Sequence, residues 1–295
     1  MKLEKIISLA NEPVRLRFLG MERSLRASGC DLPLWVIPYD DRRFKLPKNS
    51  NWWTVDPVKQ WLDSERSHTI MSKYQCLLEG NYQFVDADVI FLKDPSKALA
   101  AQKGFITSCT HWNNTDHTIT DESFKVLKAK TTTWQRGIFN SGQFASDQAL
   151  YTFEELKRVC LEPQHDRTCL RLTYEQPAIV LLANLSGVPI HNMTLPPTCM
   201  ESSWAGDYVE EGYEKRYWTN ESRKPYLIHW AGCHMWEPRA IDPLFTEFLT
   251  KAELKEWNEE VAAKKLKDSQ FRRSVRSRLR RTARGVKAFT REVKK

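Results

Sequence analysis

The stretch Tyr82-Gln83-Phe84-Val85-Asp86-Ala87-Asp88-Val89-Ile90-Phe91-Leu92 runs an apolar strand pattern straight into two carboxylates and out again. Alternate residues of a strand share a face, so Asp86 and Asp88 are expected to point the same way, with Ala87 turned from them. Two like charges at the end of a buried strand are unfavourable unless a cation sits between them. A divalent metal meets that need, and hard oxygen ligands suit Mg²⁺ or Mn²⁺. A solvated pair of strand-end acids is the alternative reading.

Upstream of this stretch, Lys5-Ile6-Ile7-Ser8-Leu9-Ala10 reads as a first strand. A helix follows over Val14 to Ala27, after Pro13 and before Gly29. Pro33 to Pro38 is a second strand running toward Asp40. Strand, helix and strand in this order form a βαβ unit, hence a parallel sheet. Residues 42–60 read as loop, and Ser67 to Glu79 as a helix ending at Gly80. Beyond the Asp-x-Asp stretch, Gly104 to Cys109 is strand, 110–135 a long loop or lid, and 137–145 a strand interrupted at Asn140-Ser141-Gly142. Asp147 to Cys160 is helical, Tyr174-Glu175-Gln176-Pro177 opens a helix to Leu185, and Tyr226 to Trp230 is a late strand. The fold class is therefore α/β, a mostly parallel Rossmann-like sheet flanked by helices. Ligands of such sheets bind outside the carboxyl ends of the strands.

With 295 residues, 41% of them hydrophobic, the chain is long enough for one large α/β domain. Eleven Trp lean slightly toward sugar binding, and Trp112, Trp134, Trp204 and Trp230 are candidate stacking platforms. No apolar run is long enough for a transmembrane helix. The N-terminus lacks the apolar region and cleavage site of a signal peptide, so a cytoplasmic protein is expected. Seven Cys, an odd number without a Cys-x-x-Cys pair, argue against a disulfide framework and a structural zinc site.

The net charge of +8 is unevenly spread. Residues 271–295 hold eleven Lys and Arg against one acid, Glu292, while the other 270 residues net to −2. Phe271, Val275, Leu279, Val286, Phe289 and Val293 recur at helical spacing on one side, with Arg on the other. This C-terminal basic helix, assigned to a tail over 256–295 after a domain over 1–255, fits an anionic membrane surface on the inner face of the plasma membrane. Nucleic acid is disfavoured as partner, because an electrostatic tail for phosphates needs no apolar stripe.

Lys73 on a helix, then Asp-x-Asp, Asn140-Ser141-Gly142, Glu175-Gln176 and His229-x-x-Gly232 follow one another along the chain. This order resembles the GT-A glycosyltransferases, in particular the group of glycogenin and the bacterial lipopolysaccharide galactosyl- and glucosyltransferases, over roughly residues 5–236. The resemblance implies Mn²⁺ or Mg²⁺ held by Asp86, Asp88 and His229, on the diphosphate of a nucleotide-diphosphate sugar. It implies a donor site formed by Leu9, Ala10, Asn11, Asp40, Lys73, Asp86, Ala87, Asp88, Ser141, Gly142 and Gly232. Glu175, Gln176 and Asn140 are the implied catalytic residues. The activity implied is hexosyl transfer, retaining favoured over inverting, to a glycan or lipid-linked acceptor at the cytoplasmic membrane face. Where the family continues with Lys-Pro-Trp after the glycine, this chain has Cys233-His234. A degenerate domain acting as a membrane or nucleic-acid adaptor is the competing expectation.

Overall fold

In the computed structural model the described residues are all but 114, 116–117, 133, 171–174, 235 and 293–295; the side chains of 113, 135 and 272–292 also lie outside the description. Two compact units are present: Met1–Cys233 with Arg239–Phe248, and His234–Pro238 with Leu249–Lys295.

Among the described residues the first unit is built on nine strands: β1 (Lys5–Ala10), β2 (Leu34–Pro38), β3 (Ser50–Trp52), β4 (Tyr82–Asp86), β5 (Val89–Phe91), β6 (Phe105–Thr107), β7 (Gln143–Ser146), β8 (Ile190–Asn192) and β9 (Leu227–His229). Seven of them form a sheet in the order β3-β2-β1-β4-β7-β6-β8, and β5 pairs with β9 separately. The sheet is mostly parallel: β7 alone runs against its neighbours β4 and β6. The carboxyl ends of β1, β2, β4 and β6 thus share one edge with the amino end of β7. That edge collects Asn11, Asp40, Asp86 and the Asn140-Ser141-Gly142 turn.

Register separates two apolar layers. Phe84 faces Ile7 and Phe144 across the sheet, and the Phe84 and Phe144 rings stack at 5.1 Å, with Phe105 5.3 Å from Phe144. On this face lie Val58, Trp61 and Leu62 of helix Asp56–Ser64, Tyr74 and Leu77 of the 3₁₀ helix Thr69–Leu78, and the apolar run of helix Gln176–Leu185. The opposite layer gathers Ile6, Val85 and Ile106 with Phe18, Met21 and Leu25 of helix Arg15–Ala27, at the three- and four-residue steps of an amphipathic helix.

Several sequence expectations need correction. The stretch 82–92 is two strands: β4 stops at Asp86, Ala87-Asp88 form a turn, and β5 leaves for the other sheet. Asp86 and Asp88 are therefore brought together by a turn and not by strand alternation. Residues 42–60 are not all loop, because β3 pairs with β2 and Asp56 opens a helix. In 110–135, Thr120 caps helix Asp121–Lys130 by accepting from the Ser123 amide. The helix expected from Asp147 starts at Phe153, where Thr152 and Glu155 form a reciprocal capping box. Residues 137–142 are not strand; only Gln143–Ser146 pair.

The second unit is dominated by one helix, Lys251–Glu292, about 63 Å long at 1.5 Å per residue. Phe271 is exposed, whereas the stripe side chains at 275, 279, 286 and 289, and residue 293, lie outside the described residues. No helix among the described residues is long and apolar enough to cross a membrane.

Because the Phe144 ring bridges β4 and β6, Phe144→Ala should lower unfolding free energy by about 3–5 kcal/mol in urea titrations. A loss below about 1 kcal/mol would show that the layer closes without it.

Candidate functional site

β5 begins directly after the Asp-x-Asp turn and pairs antiparallel with β9, with Val89 opposite His229. The Trp230 amide donates to the Asp88 carbonyl at 3.0 Å, and the His229 amide to the Ser203 carbonyl at 2.7 Å. The backbone thereby sets His229 against the acidic turn from across the small sheet. Its Nε2 lies 3.2 Å from Asp88 Oδ1 and 3.9 Å from Asp86 Oδ2. One ligand atom from each of Asp86, Asp88 and His229 falls within 4.8 Å of the others. Two carboxylates with one imidazole form a donor set for a divalent metal ion.

Gly142 makes the approach possible. A Cβ there would lie 2.1 Å from His229 Cε1 and 2.6 Å from Asp86 Oδ2. The glycine is required by space, and its carbonyl accepts the Asp86 amide at 2.7 Å. The turn before it is tied by Asn140, whose Oδ1 accepts the Gly142 amide at 2.8 Å.

Lys73 lies beneath Asp86, 1% exposed. Its ammonium donates to Glu175 Oε1 and pairs with Asp86 Oδ1 at 2.9 Å, above the Phe84 ring. Burial alone would lower the Lys73 pKa, but the two carboxylates outweigh it and hold the group firmly protonated. Burial likewise works to raise Glu175, yet Lys73 and the Ser141 hydroxyl keep it below the usual range. Asp86 goes the other way: burial raises it more than Lys73 lowers it. For Asp88, burial is overcome by His229 and by Arg17, whose Nη1 is 3.6 Å from Asp88 Oδ2, and the carboxyl sits lowered. Gln176 takes no part in the ion pairs. It accepts from the Ser141 amide at 3.2 Å and donates to the Phe139 carbonyl at 3.1 Å, clamping the turn.

The structure thus brings Asp86, Asp88, His229, Lys73, Ser141, Gly142, Glu175, Gln176 and Asn140 into one connected cluster. Ala87 forms the turn between the acids, 7% exposed. Leu9 and Ala10 are buried at the end of β1, where the Ala10 carbonyl accepts the Tyr39 amide. Asn11 and Asp40 form a separate pair at 2.8 Å, Asp40 lowered chiefly by Arg42. Gly232 adopts φ +65° in the turn after β9, with open space around it. Sequence reasoning missed Arg17 and Tyr39, whose hydroxyl bonds the Thr69 side chain. A cation in the first turn of a helix, where the dipole disfavours it, is the signal that marks Arg17. Among the Trp candidates, Trp230 is fully buried and donates to Asp242. Trp204 bridges to His229 along the backbone, with its half-buried ring over Gly206 and 6.4 Å from the His111 ring.

No family profile matches the chain, and no curated protein does. Solved structures do. The galactosyltransferase LgtC, in complex with donor and acceptor sugar analogs, is 12% identical, with 83% of this chain and 94% of that one aligned at a TM-score of 0.52. The bifunctional glycosyltransferase WbbM is 13% identical, with 87% of this chain and 51% of that chain aligned, TM-score 0.54. The apo form of GlyE from Streptococcus pneumoniae is 10% identical over 88% and 64% of the two chains, TM-score 0.50. Likeness at these identities establishes the fold, and the fold is GT-A.

Lys73→Met would leave the buried Glu175 and the partly exposed Asp86 facing a single apolar side chain, and about 3 kcal/mol of unfolding free energy should be lost at neutral pH. Glu175 has a lowered pKa in the fold, so its share of stability is present above about 4.3 and is lost as pH falls through its lowered value. The deficit of Lys73→Met should therefore shrink when unfolding is followed from pH 6 down to pH 3. A deficit constant across that range would mean that lost packing, and not charge, is responsible.

Proposed function

We propose that this chain transfers a sugar from a nucleotide-diphosphate sugar to a hydroxyl of a glycan or lipid-linked acceptor. The observation that carries the reading is the Asp86-Asp88-His229 triad at the carboxyl edge of a GT-A sheet, with Gly142 leaving room beside it. Asp86, Asp88 and His229 would hold a divalent cation, Mn²⁺ or Mg²⁺, which when bound neutralises charge on the departing diphosphate.

The remaining roles belong to the chain's own side chains. Lys73 fixes one oxygen of Asp86 and so aims the other at the triad. Ser141 and Gln176 hold the turn that carries Gly142 against His229. Glu175 keeps Lys73 charged and in place; bound to Lys73 and Ser141, it is not free to act as a base. Each carboxylate of the cluster has a cationic partner, which favours a retaining transfer, since inversion calls for a free general base. Trp204, next to His229, supplies an aromatic face for the acceptor sugar.

The net charge of +10 in residues 271–295 supports a peripheral position on an anionic bilayer, where a lipid-linked or envelope acceptor would reside.

Two measurements test the reading. Calorimetric titration with UDP and with GDP should show binding that needs Mn²⁺ and disappears in Asp86→Asn/Asp88→Asn; binding that survives the double substitution would remove the triad from the donor site. Deleting residues 271–295, which keeps the buried Trp257, should release the protein from vesicles rich in phosphatidylglycerol while leaving nucleotide binding intact. Unchanged sedimentation with those vesicles would eliminate the tail as the anchor.

A further inference from the structure

Five polar side chains are buried where the seven-stranded sheet meets β9. Gln83 of β4, Gln143 of β7, Ser108 just after β6, Ser203 and Tyr226 are each 3% exposed or less. Gln83 and Gln143 share the face of Val85 and Ala145, because Gln83 pairs with Ala145 and Val85 with Gln143. The bonds converge on Ser108. The Tyr226 hydroxyl accepts from Gln83 Nε2 at 2.8 Å and lies 3.2 Å from Ser108 Oγ. The Ser203 hydroxyl donates to the Ser108 carbonyl and accepts from Gln143 Nε2 at 3.4 Å. Burial pushes the Tyr226 phenol up to about 12, so it keeps the proton that Ser108 Oγ can accept. Gln83 is held by its nitrogen alone, since its Oε1 has no partner among the described residues.

Tyr226 and Ser203 also frame His229. Tyr226 directly precedes β9, and its carbonyl accepts the Leu92 and Lys93 amides at 2.8 Å and 3.1 Å. The Ser203 carbonyl accepts the His229 amide at 2.7 Å. The strand that carries His229 is thus fixed at its start by Tyr226 and at its end by Ser203, and both are bonded to Ser108. The other two partners belong to the segments that carry the acidic turn: Gln83 lies on β4 ahead of Asp86, and Gln143 follows Gly142. No ladder bond joins the two sheets among the described residues. Side chains therefore have to set the spacing between them. A Phe would fill an apolar layer as well as a Tyr does. A buried hydroxyl or amide costs desolvation unless it is bonded, and these bonds form in one placement of β9. A one-residue slip would withdraw Tyr226 from Gln83 and His229 from the acids together.

We propose that Tyr226 is a positioning residue for the divalent-cation site: its hydroxyl, tied to Gln83 and Ser108, sets where β9 presents His229 to Asp86 and Asp88. This rests on the cation-binding part of the reading above.

The test compares wild type, Tyr226→Phe, Gln83→Met/Tyr226→Phe and Ser108→Ala, as full chains, by calorimetric titration with Mn²⁺ and by urea unfolding without metal. Tyr226→Phe keeps the ring and should bind Mn²⁺ about tenfold or more weakly, with a lower urea midpoint. Gln83→Met/Tyr226→Phe leaves no amide stranded against the ring. Its midpoint should return toward wild type while Mn²⁺ binding stays weak. Ser108→Ala keeps the carbonyl that holds Ser203 and should weaken Mn²⁺ several-fold; it carries the test if Tyr226→Phe does not fold. Mn²⁺ affinity within about twofold of wild type in Tyr226→Phe, or in Ser108→Ala should the first not fold, would overturn the proposal and leave the cation site standing. Affinity that recovers together with the midpoint in the double variant would overturn it too, because Tyr226 would then serve the fold alone. Wild type that binds neither Mn²⁺ nor Mg²⁺ would remove the cation site and the proposal together.

Discussion

The ammonium of Lys73 is the pivot of this structure. It sits inside the apolar layer of Phe84 and Tyr74, 1% exposed, between Asp86 and Glu175. A buried charge is tolerated only when it is paired and hydrogen-bonded, so both carboxylates must be where they are. Asp86 is at the end of β4, and Glu175 at the start of helix Gln176–Leu185. Lys73 comes from the 3₁₀ helix between β3 and β4. The single contact set therefore ties two neighbouring segments to a third that lies 102 residues beyond Lys73. Replacing the triplet by apolar groups would not be expected to weaken the fold greatly; what the ion pairs add is a fixed direction for Asp86.

That direction matters because the rest of the site is assembled from an unrelated part of the sheet. β4 ends at Asp86 because the chain changes partners: Val85 still pairs with Gln143, whereas Val89 pairs with His229 of β9. The break puts a two-residue turn where the seven-stranded sheet gives way to the two-stranded one. Asp86 belongs to the first and Asp88 opens onto the second. His229 can then reach both, and Gly142, lying at the amino end of β7, is the residue that has no side chain to prevent it. The triad exists at a seam between sheets, which is why its members are distant in sequence.

Much of this was legible before any coordinates. The apolar run ahead of Asp86, the βαβ opening and the order of the short motifs lead to an α/β sheet with its carboxyl edge at the acids, and the sheet carries them there. Illegible were features set by tertiary partners. The turn at Ala87-Asp88 looks like uninterrupted strand because β5 is as apolar as β4, and only β9, some 140 residues later, explains the break. β3 and β8 are three residues each, too short to show a period of two. Helix Asp121–Lys130 buries little beyond Ser123 and Leu127, so its apolar stripe is faint. Helix Asp56–Ser64 is a different case. Val58, Trp61 and Leu62 have helical spacing, and Pro57 in the first turn is compatible with a helix start, so the pattern was present and was outweighed by the polar residues before it.

Viewed as charge, the site has an inner cation and an outer one, with two carboxylates and an imidazole between them. The inner cation has no route to a ligand without abandoning Glu175 and exposing a buried pair. The outer one has solvent on one side and a helix N-terminus at its back. A site arranged this way is poised for anions only once its own negative charge has been cancelled, because Asp86 and Asp88 repel phosphate until something stands between them. The Asp88 carboxyl is lowered, by His229 ahead of Arg17, whereas the Asp86 carboxyl is raised by burial in spite of Lys73. The asymmetry between two carboxylates in a three-residue motif thus traces back to burial at Asp86 and to the closer approach of His229 to Asp88, and the place of His229 is decided by the seam between the two sheets.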